Sequence, residues 1–457
     1  MIRFLFALLF LGSGLSLFGQ KSAFNFISVP APESTEGLPS EFEAMTLDLE
    51  QVKWQLAQAP QETKSKTGST IVLPLPNGEY AEFRVVESSL INGNSPYLSE
   101  DRTPKSYKVM GPWGNGRLAF SHKGITAMLR GPEGIFLIDR LELAGAGIYL
   151  VTDFEGVLEV MQRQEGTMVC GTTSANLTMP YESEKEAFFT EELSLEQLNK
   201  SNGNEDRPLI IYDVQMVSTG EFSQFAGGTV EDVMAEFNLA INILTDLYES
   251  ELGIRFNLLA SSASTVFLDP DLDPFLDAED GEAILNASRD AIESRNIPFP
   301  SYDIGHIFTR GCQGGVAGIA TFGSVCGPNK TRGVTCIRPS VTVAFMASTT
   351  MAHELGHSFD ARHTWNRCTA GTANQRNSIA AYEPGSGTTI MSYAGSCGTQ
   401  DTGPEDPYFH GKSLETMNFF SRTGNGRGCA TVVATQNVTP EVSIDYEDGF
   451  YIPISTP

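Results

Sequence analysis

The chain has 457 residues, enough for about three domains of ordinary size. Its 30 basic residues face 56 acidic ones, a net charge of −26, which argues against nucleic acid or an anionic membrane surface as a partner. A hydrophobic content of 41% with 44 Gly and 24 Pro describes a globular, turn-rich protein rather than a disordered one.

The N-terminus reads as a targeting segment. Arg3 supplies a positive start, Phe4 to Phe18 form an apolar stretch broken by Gly12, Ser13 and Gly14, and Gly19 is a small residue before a cut. A signal peptide over 1–20 is therefore expected, and with it a secreted, extracellular protein. No later apolar run reaches the ~18 residues that a membrane span requires. A polar stretch follows, with a short helical pattern near Glu43–Leu56. From Thr70 the chain alternates as strands do, through Ile71–Leu73, Tyr80–Val86, Leu118–Phe120, Gly134–Ile138 and Gly147–Val151. Pro76-Asn77-Gly78 and Gly131-Pro132-Glu133-Gly134 are turn signals between these runs. Residues 181–205 are charged and poor in strand formers, and Ser201-Asn202-Gly203-Asn204 suits an exposed linker open to proteolysis.

After Arg207 the pattern becomes α/β. Strands are expected at Leu209–Val217, Ile254–Leu259 and Tyr302–Phe308. Helices are expected at Thr229–Leu252, Gly281–Arg295, Thr349–Phe359 and Gly411–Ser421. In the longest helix Val233, Phe237, Ala240, Ile241, Leu244 and Leu247 share one side. Alternation of this kind implies a mixed sheet flanked by helices.

His353-Glu354-Leu355-Gly356-His357 lies on the third of these helices, with His363 six residues beyond. Residues i and i+4 share a helix face, so His353 and His357 can hold one metal. Six further helical residues would rotate His363 by about 600° and raise it by about 9 Å, so the helix must stop before it. Three neutral imidazoles leave one position of a tetrahedral Zn2+ open to water. Glu354, beside the first ligand, is placed to take that water's proton, which is the chemistry of hydrolysis. Two rival metal assignments carry less of the pattern: Glu383 as a distant third ligand, and Asp360 as a carboxylate near the metal.

HELGHSFDARH followed by Thr389-Ile390-Met391-Ser392-Tyr393 resembles the metzincin zinc endopeptidases, whose pattern is H-E-x-x-H-x-x-G-x-x-H with a Met-turn. SYDIGHIFTRGCQGGVAGIATFGSVC, HTWN and DPYFHGKSLE narrow the resemblance to the secreted bacterial reprolysin-like branch over about residues 207–430. The segments LPNGEYAEFRVVESS and GPEGIFLID are similar to its pro-regions. The resemblance implies Met391 as an apolar floor beneath the imidazoles. It also implies an edge strand within Gly314–Ser324 that aligns a protein or peptide substrate. Tyr393 holds the place from which some metzincins contact zinc or the oxyanion. Asp360 stands where the family has Gly. Gly is favoured there because the helix ends with φ > 0, which Asp tolerates at a cost of about 1 kcal/mol.

Seven cysteines in a secreted chain suggest disulfides. Six follow Arg207, and the expected pairing is Cys312–Cys429, Cys326–Cys336 and Cys368–Cys397, one of about 15 connectivities open to six cysteines. Cys170 is left over. Met168-Val169-Cys170-Gly171-Thr172 resembles the Cys-Gly segment with which related proenzymes cap their zinc, which implies Cys170 as a fourth metal ligand and the pro-region as an intramolecular inhibitor.

The expected fold class is α+β: a metzincin-like catalytic domain, with a twisted mixed sheet plus helices, preceded by a β-rich prodomain. The expected divisions are a signal peptide at 1–20 and a prodomain with its linker at 21–205. A zinc protease domain at 206–430 and the start of a linker or truncated β-sandwich at 431–457 follow. A secreted, latent zinc endopeptidase is the functional expectation, with a non-catalytic zinc-containing adhesion or binding protein as the alternative. His122, His306 and His410 are expected to be structural. Asp269, Asp271 and Asp273 lack the Gly and terminal Glu of a calcium loop and are expected to be solvated.

Overall fold

The computed structural model describes residues 23–26, 39, 41–63, 68–140, 148–158, 169–172, 207–338, 341–369, 371, 375–435 and 437. The expected signal peptide, the linker of 181–205 and the tail from 438 lie outside the described residues.

The N-terminal region is a nine-stranded antiparallel sheet. Its elements are β1 (Phe24–Phe26), β2 (Glu43–Leu47), α1 (Leu49–Ala57), β3 (Ser69–Pro74) and β4 (Tyr80–Glu87). They continue with β6 (Lys105–Gly111), β7 (Gly114–Ser121), β8 (Gly124–Gly131), β9 (Gly134–Arg140) and β10 (Ile148–Asp153). A short strand, β5 (Ile91–Asn92), leaves this sheet for the next one. Three successive two-residue turns join β6 to β9, closed by the pairs Gly111–Gly114, Ser121–Gly124 and Gly131–Gly134. Gly124 and Gly134 carry φ of 125° and 123°, a region closed to most residues with a Cβ.

The second sheet has eight strands. After β11 (Val169–Cys170) come β12 (Leu209–Ser218), α2 (Gly220–Ala226), α3 (Val230–Leu252), β13 (Ile254–Leu259), α4 (Gly281–Glu293), β14 (Ile304–Arg310), β15 (Val316–Ala320) and β16 (Gly333–Ile337). Then follow the motif helix of residues 343–358, α5 (Gly411–Arg422) and β17 (Thr431–Val433). Strand order is β11-β15-β16-β14-β12-β13-β5. Along that path only the β15–β16 pair is antiparallel, so β11 and β15 run together, opposite to the other strands. Both ends of the sheet are thus supplied by the N-terminal region: β5 beside β13 and β11 beside β15. β17 pairs antiparallel with β12, so residues 431–433 add to this sheet.

α3 is the joint between the two regions. Thr229 caps its start through Asp232 N, and Gly253, with φ 65°, ends it. The apolar side anticipated from sequence is buried. The opposite, polar side is buried too, because the N-terminal sheet lies on it. Glu236 pairs with Lys123 and Arg140 at 2.5 and 2.8 Å, Asp246 with Arg130 at 3.1 Å, and Glu249 with Lys108 at 2.6 Å. Arg117 donates to Asn242 at 2.7 Å, and Ser106 donates to Asn238 at 3.0 Å. An acidic helix stripe therefore meets a basic sheet face. From sequence alone the stripe reads as a solvated surface.

The disulfides are Cys312–Cys336, Cys326–Cys429 and Cys368–Cys397. The last agrees with the expectation and the other two exchange partners. The reason is register: Thr309 on β14 faces Cys336 on β16, so Cys312, just past the end of β14, lies beside Cys336. Asp273, in the acidic loop, accepts a hydrogen bond from Gly220 N and so caps α2.

Candidate metal centre

The motif helix is one continuous run made of Val343–Met346, Ala347–Met351 and Ala352–Ser358. Thr342 caps its start through Phe345 N. The middle segment has π pitch. There the Ser348 and Thr349 hydroxyls both donate to the Phe345 carbonyl, competing with the backbone ladder where it widens. The following α turn sets His353 and His357 on one face, ring centroids 4.7 Å apart.

The helix breaks at Asp360, whose φ is 75°. Asp360 N donates to the His357 carbonyl and Ala361 N to that of Gly356, a left-handed helix end. The reversal returns His363 to the helix face. Its Nε2 lies 3.2 Å from Nε2 of both His357 and His353. Each imidazole commits its other nitrogen to a carbonyl: His353 to Ile390 at 2.6 Å, His357 to Ala361 at 2.8 Å, and His363 to Gln375 at 2.8 Å. A carbonyl only accepts, so each Nδ1 carries the proton and each Nε2 presents a lone pair. Burial pushes the rings down, to about 4 for His353 and about 3 for His363, and keeps them neutral.

Cys170 closes the fourth side. Among the described residues it is the free cysteine, and its Sγ lies 3.5 Å from His357 Nε2. β11 brings it there by pairing parallel to β15, with Cys170 opposite Gly318. Gly171 N donates to the Gly318 carbonyl at 2.8 Å, and Thr172 N donates to Cys170 Sγ at 3.3 Å. The four donor atoms lie within 4.8 Å of one another.

This donor set fits zinc. Bonds of about 2.0–2.1 Å to nitrogen in a tetrahedron require nitrogens about 3.3 Å apart, and a bond of about 2.3 Å to sulfur requires N···S near 3.5 Å. The buried lone pair of His363 lies 3.2 Å from those of His353 and His357, an acceptor set that a cation among them would satisfy.

Glu354 lies between the helix and β15. Its Cγ would be 2.6 Å from a Cβ on Gly318, so Gly at 318 is what admits it. Thr172 Oγ1 lies 3.3 Å from Glu354 Oε2, while Oε1 is buried without a partner. Burial raises this carboxyl to about 8, against the opposing hydrogen bonds of Cys170 and Thr172. Burial likewise raises the Cys170 thiol, and the nearby Glu354 charge adds to it. A divalent cation beside these groups reverses both tendencies.

Tyr393 Oη donates to the Cys170 carbonyl at 3.3 Å, and its ring lies 4.9 Å from that of His363. Gln375, which no motif singled out, holds the same carbonyl through Nε2 at 2.5 Å while its own carbonyl orients His363. Its segment gives no sequence signal. Glu383 is no ligand here: it accepts from the Thr364 hydroxyl and from Thr388 N and Thr389 N, bracing the loop behind His363. Asp360 stands outside the donor cluster, with Arg362 3.4 Å away. His306 bonds Thr335, His122 bonds Asp232 and His410 caps α5, all away from the centre.

Residues 209–418 match the profile of metallo-peptidase family M12B, reprolysin-like. A zinc metalloproteinase/disintegrin of Gloydius halys is 25% identical over 264 residues, which cover 54% of this chain and 48% of that protein. The chain thus spans about half the length of this curated relative. Among solved structures, metalloproteinase-II from Bacteroides fragilis aligns over 82% of this chain and 96% of its own, with 11% identity and a TM-score of 0.45. Residues 209–418, which carry the histidine cluster, are thus similar to the reprolysin-like metallopeptidases of family M12B.

Proposed function

We propose that the chain is a secreted zinc endopeptidase made in latent form. The observation that carries this reading is the convergence of three imidazole Nε2 atoms, that of His363 lying 3.2 Å from each of the other two, with Glu354 buried beside them. His353, His357 and His363 would hold the ion, with Cys170 as a further ligand while the chain is uncut. The bound ion would supply a water of lowered pKa and polarise the substrate carbonyl. Glu354, next to His353 in the chain and buried beside the cluster, would take the proton from that water and deliver it to the leaving amine. Tyr393 donates to the carbonyl that undergoes attack, as it donates to the Cys170 carbonyl here. A substrate adds to β15 in the place of β11 and is held by backbone hydrogen bonds.

Residues 21–205 act as the prodomain and intramolecular inhibitor, 206–430 as the protease, and 1–20 as the signal for export. Three disulfides support an oxidising destination, and no helix among the described residues is long and apolar enough to cross a membrane.

A second reading has one observation in its favour: three His and one Cys are also the ligand set of a structural zinc site in a non-catalytic binding protein. Against it, one of the four donors comes from β11, upstream of the linker, and leaves with it.

The test is hydrolysis of an unstructured peptide mixture by chain cut within the linker. Activity lost on chelation, restored by zinc and absent in Glu354→Gln supports the proposal. A folded, zinc-loaded, cut protein that hydrolyses nothing contradicts it.

A further inference from the structure

A small cleft opens beside the Cys170 segment, between the motif helix and the chain that follows Met391. Thr350, His353, Ile390, Ser392, Tyr393 and Glu405 line it. Two acceptors in this lining lack partners. Ser392 is 6% exposed, and its Oγ is buried without a hydrogen bond. Glu405 is partly buried, and no donor or cation among the described residues reaches its carboxylate. Burial, reinforced by the nearby Asp406, pushes that carboxyl up to about 8. Without a partner this carboxyl stays protonated near neutrality, and a cation entering the cleft would favour its ionised form and pair with it.

The chemistry of the lining narrows the occupant. An acidic side chain would be repelled by Glu405. An apolar one would leave both acceptors dry and unpaired. An uncharged amide can donate to either acceptor but cannot stabilise the ionised carboxylate. A guanidinium or ammonium does both, and the guanidinium fork can bridge two acceptors at once. His353 and Glu354 line the same cleft, so the occupying side chain belongs to a residue that adjoins the bond being cut.

We propose that this cleft binds the cationic side chain, Arg or Lys, of a substrate residue flanking the scissile bond, with Glu405 as its charge partner and Ser392 Oγ as a second acceptor. The inference rests on the peptidase reading above and gives it a substrate class.

The test uses the full chain, cut within the linker, and peptides in which each position near the cleavage point is in turn Arg, citrulline or Glu. Citrulline keeps the shape of arginine and removes its charge. At one flanking position, Arg should exceed citrulline in kcat/KM by about tenfold or more, with Glu lowest. Glu405→Gln should bring Arg and citrulline to within about twofold of each other. Equal rates for Arg and citrulline at every position in the wild-type protein overturn the inference while leaving the peptidase reading intact. Calorimetry of the same peptides with cut Glu354→Gln protein reads the preference without hydrolysis. Equal affinities there overturn the inference even if no peptide is cleaved, whereas an Arg preference without cleavage supports the cleft and counts against the peptidase reading.

Discussion

The sulfur of Met391 occupies the space where a Cβ on Gly356 would stand. Met391 is fully buried, so the Met-turn and the motif helix touch without any intervening side chain. Ile390, its neighbour, receives the Nδ1 proton of His353. The contact therefore sets the height of the turn that orients one imidazole. Gly356→Ala should overpack this contact and lower stability by about 1–3 kcal/mol in denaturant unfolding. An unchanged unfolding midpoint would mean that the turn yields freely and does not fix the histidines.

Asp360 holds φ 75° at the end of the motif helix, at the place where the pattern it resembles has Gly. Its carboxylate accepts from Arg362 at 3.4 Å, longer than the usual charge-assisted hydrogen bond. Asp360→Gly should leave the protein as stable or more so, by up to about 1 kcal/mol. A loss above about 2 kcal/mol in urea unfolding would mean that the carboxylate, rather than the backbone, holds this turn.

The joint between the N-terminal sheet and α3 should weaken in acid. Glu62, on the sheet side, loses solvation on burial, but Arg255 and Lys108 outweigh this and hold its carboxyl down at about 2. Glu236 and Glu249 are depressed as well: burial opposes it, and Arg140 with Lys123, and Arg255 with Lys108, outweigh it. Because the folded value of Glu62 lies below the unfolded 4.5, its stabilisation is complete above pH 4.5 and fades as pH falls toward 2. Hydrogen exchange of β6, β7 and α3 should therefore accelerate between pH 4.5 and 3, once corrected for intrinsic rates. Constant protection over that window would contradict the ionic account of this interface.

Cys170→Ser in the uncut chain should release latency. A serine hydroxyl lacks the thiolate's affinity for zinc, and Thr172 N would lose its sulfur acceptor. Peptidase activity or self-cleavage between 173 and 206 should appear before any activating cut. A variant as silent as the parent would place latency in the sheet contacts instead.

The sequence exposed the centre better than its surroundings. The His spacing forced a helix break before His363, and the left-handed residue was legible because Asp stands in a place that demands φ > 0. Strand β13 and the extent of α3 followed from periodicity. Strand β16 did not: all five of its residues are buried, so no alternation marks it. Missing β16 concealed the Thr309–Cys336 register, and with it two disulfide pairings. The polar side of α3 looked like surface because its counter-charges lie more than 90 residues away in sequence. Gln375, Glu405 and Ser392 sit in irregular segments, where only the folded backbone shows what they face.

The most direct measurement is X-ray absorption at the zinc edge on the uncut full-length chain, with metal content determined on the same sample. The account predicts about one zinc per chain, with three nitrogen scatterers at about 2.0–2.1 Å and one sulfur at about 2.3 Å, the sulfur giving way to oxygen once the N-terminal region is removed. A chain purified without zinc, or a zinc shell with no sulfur before cleavage, would contradict it.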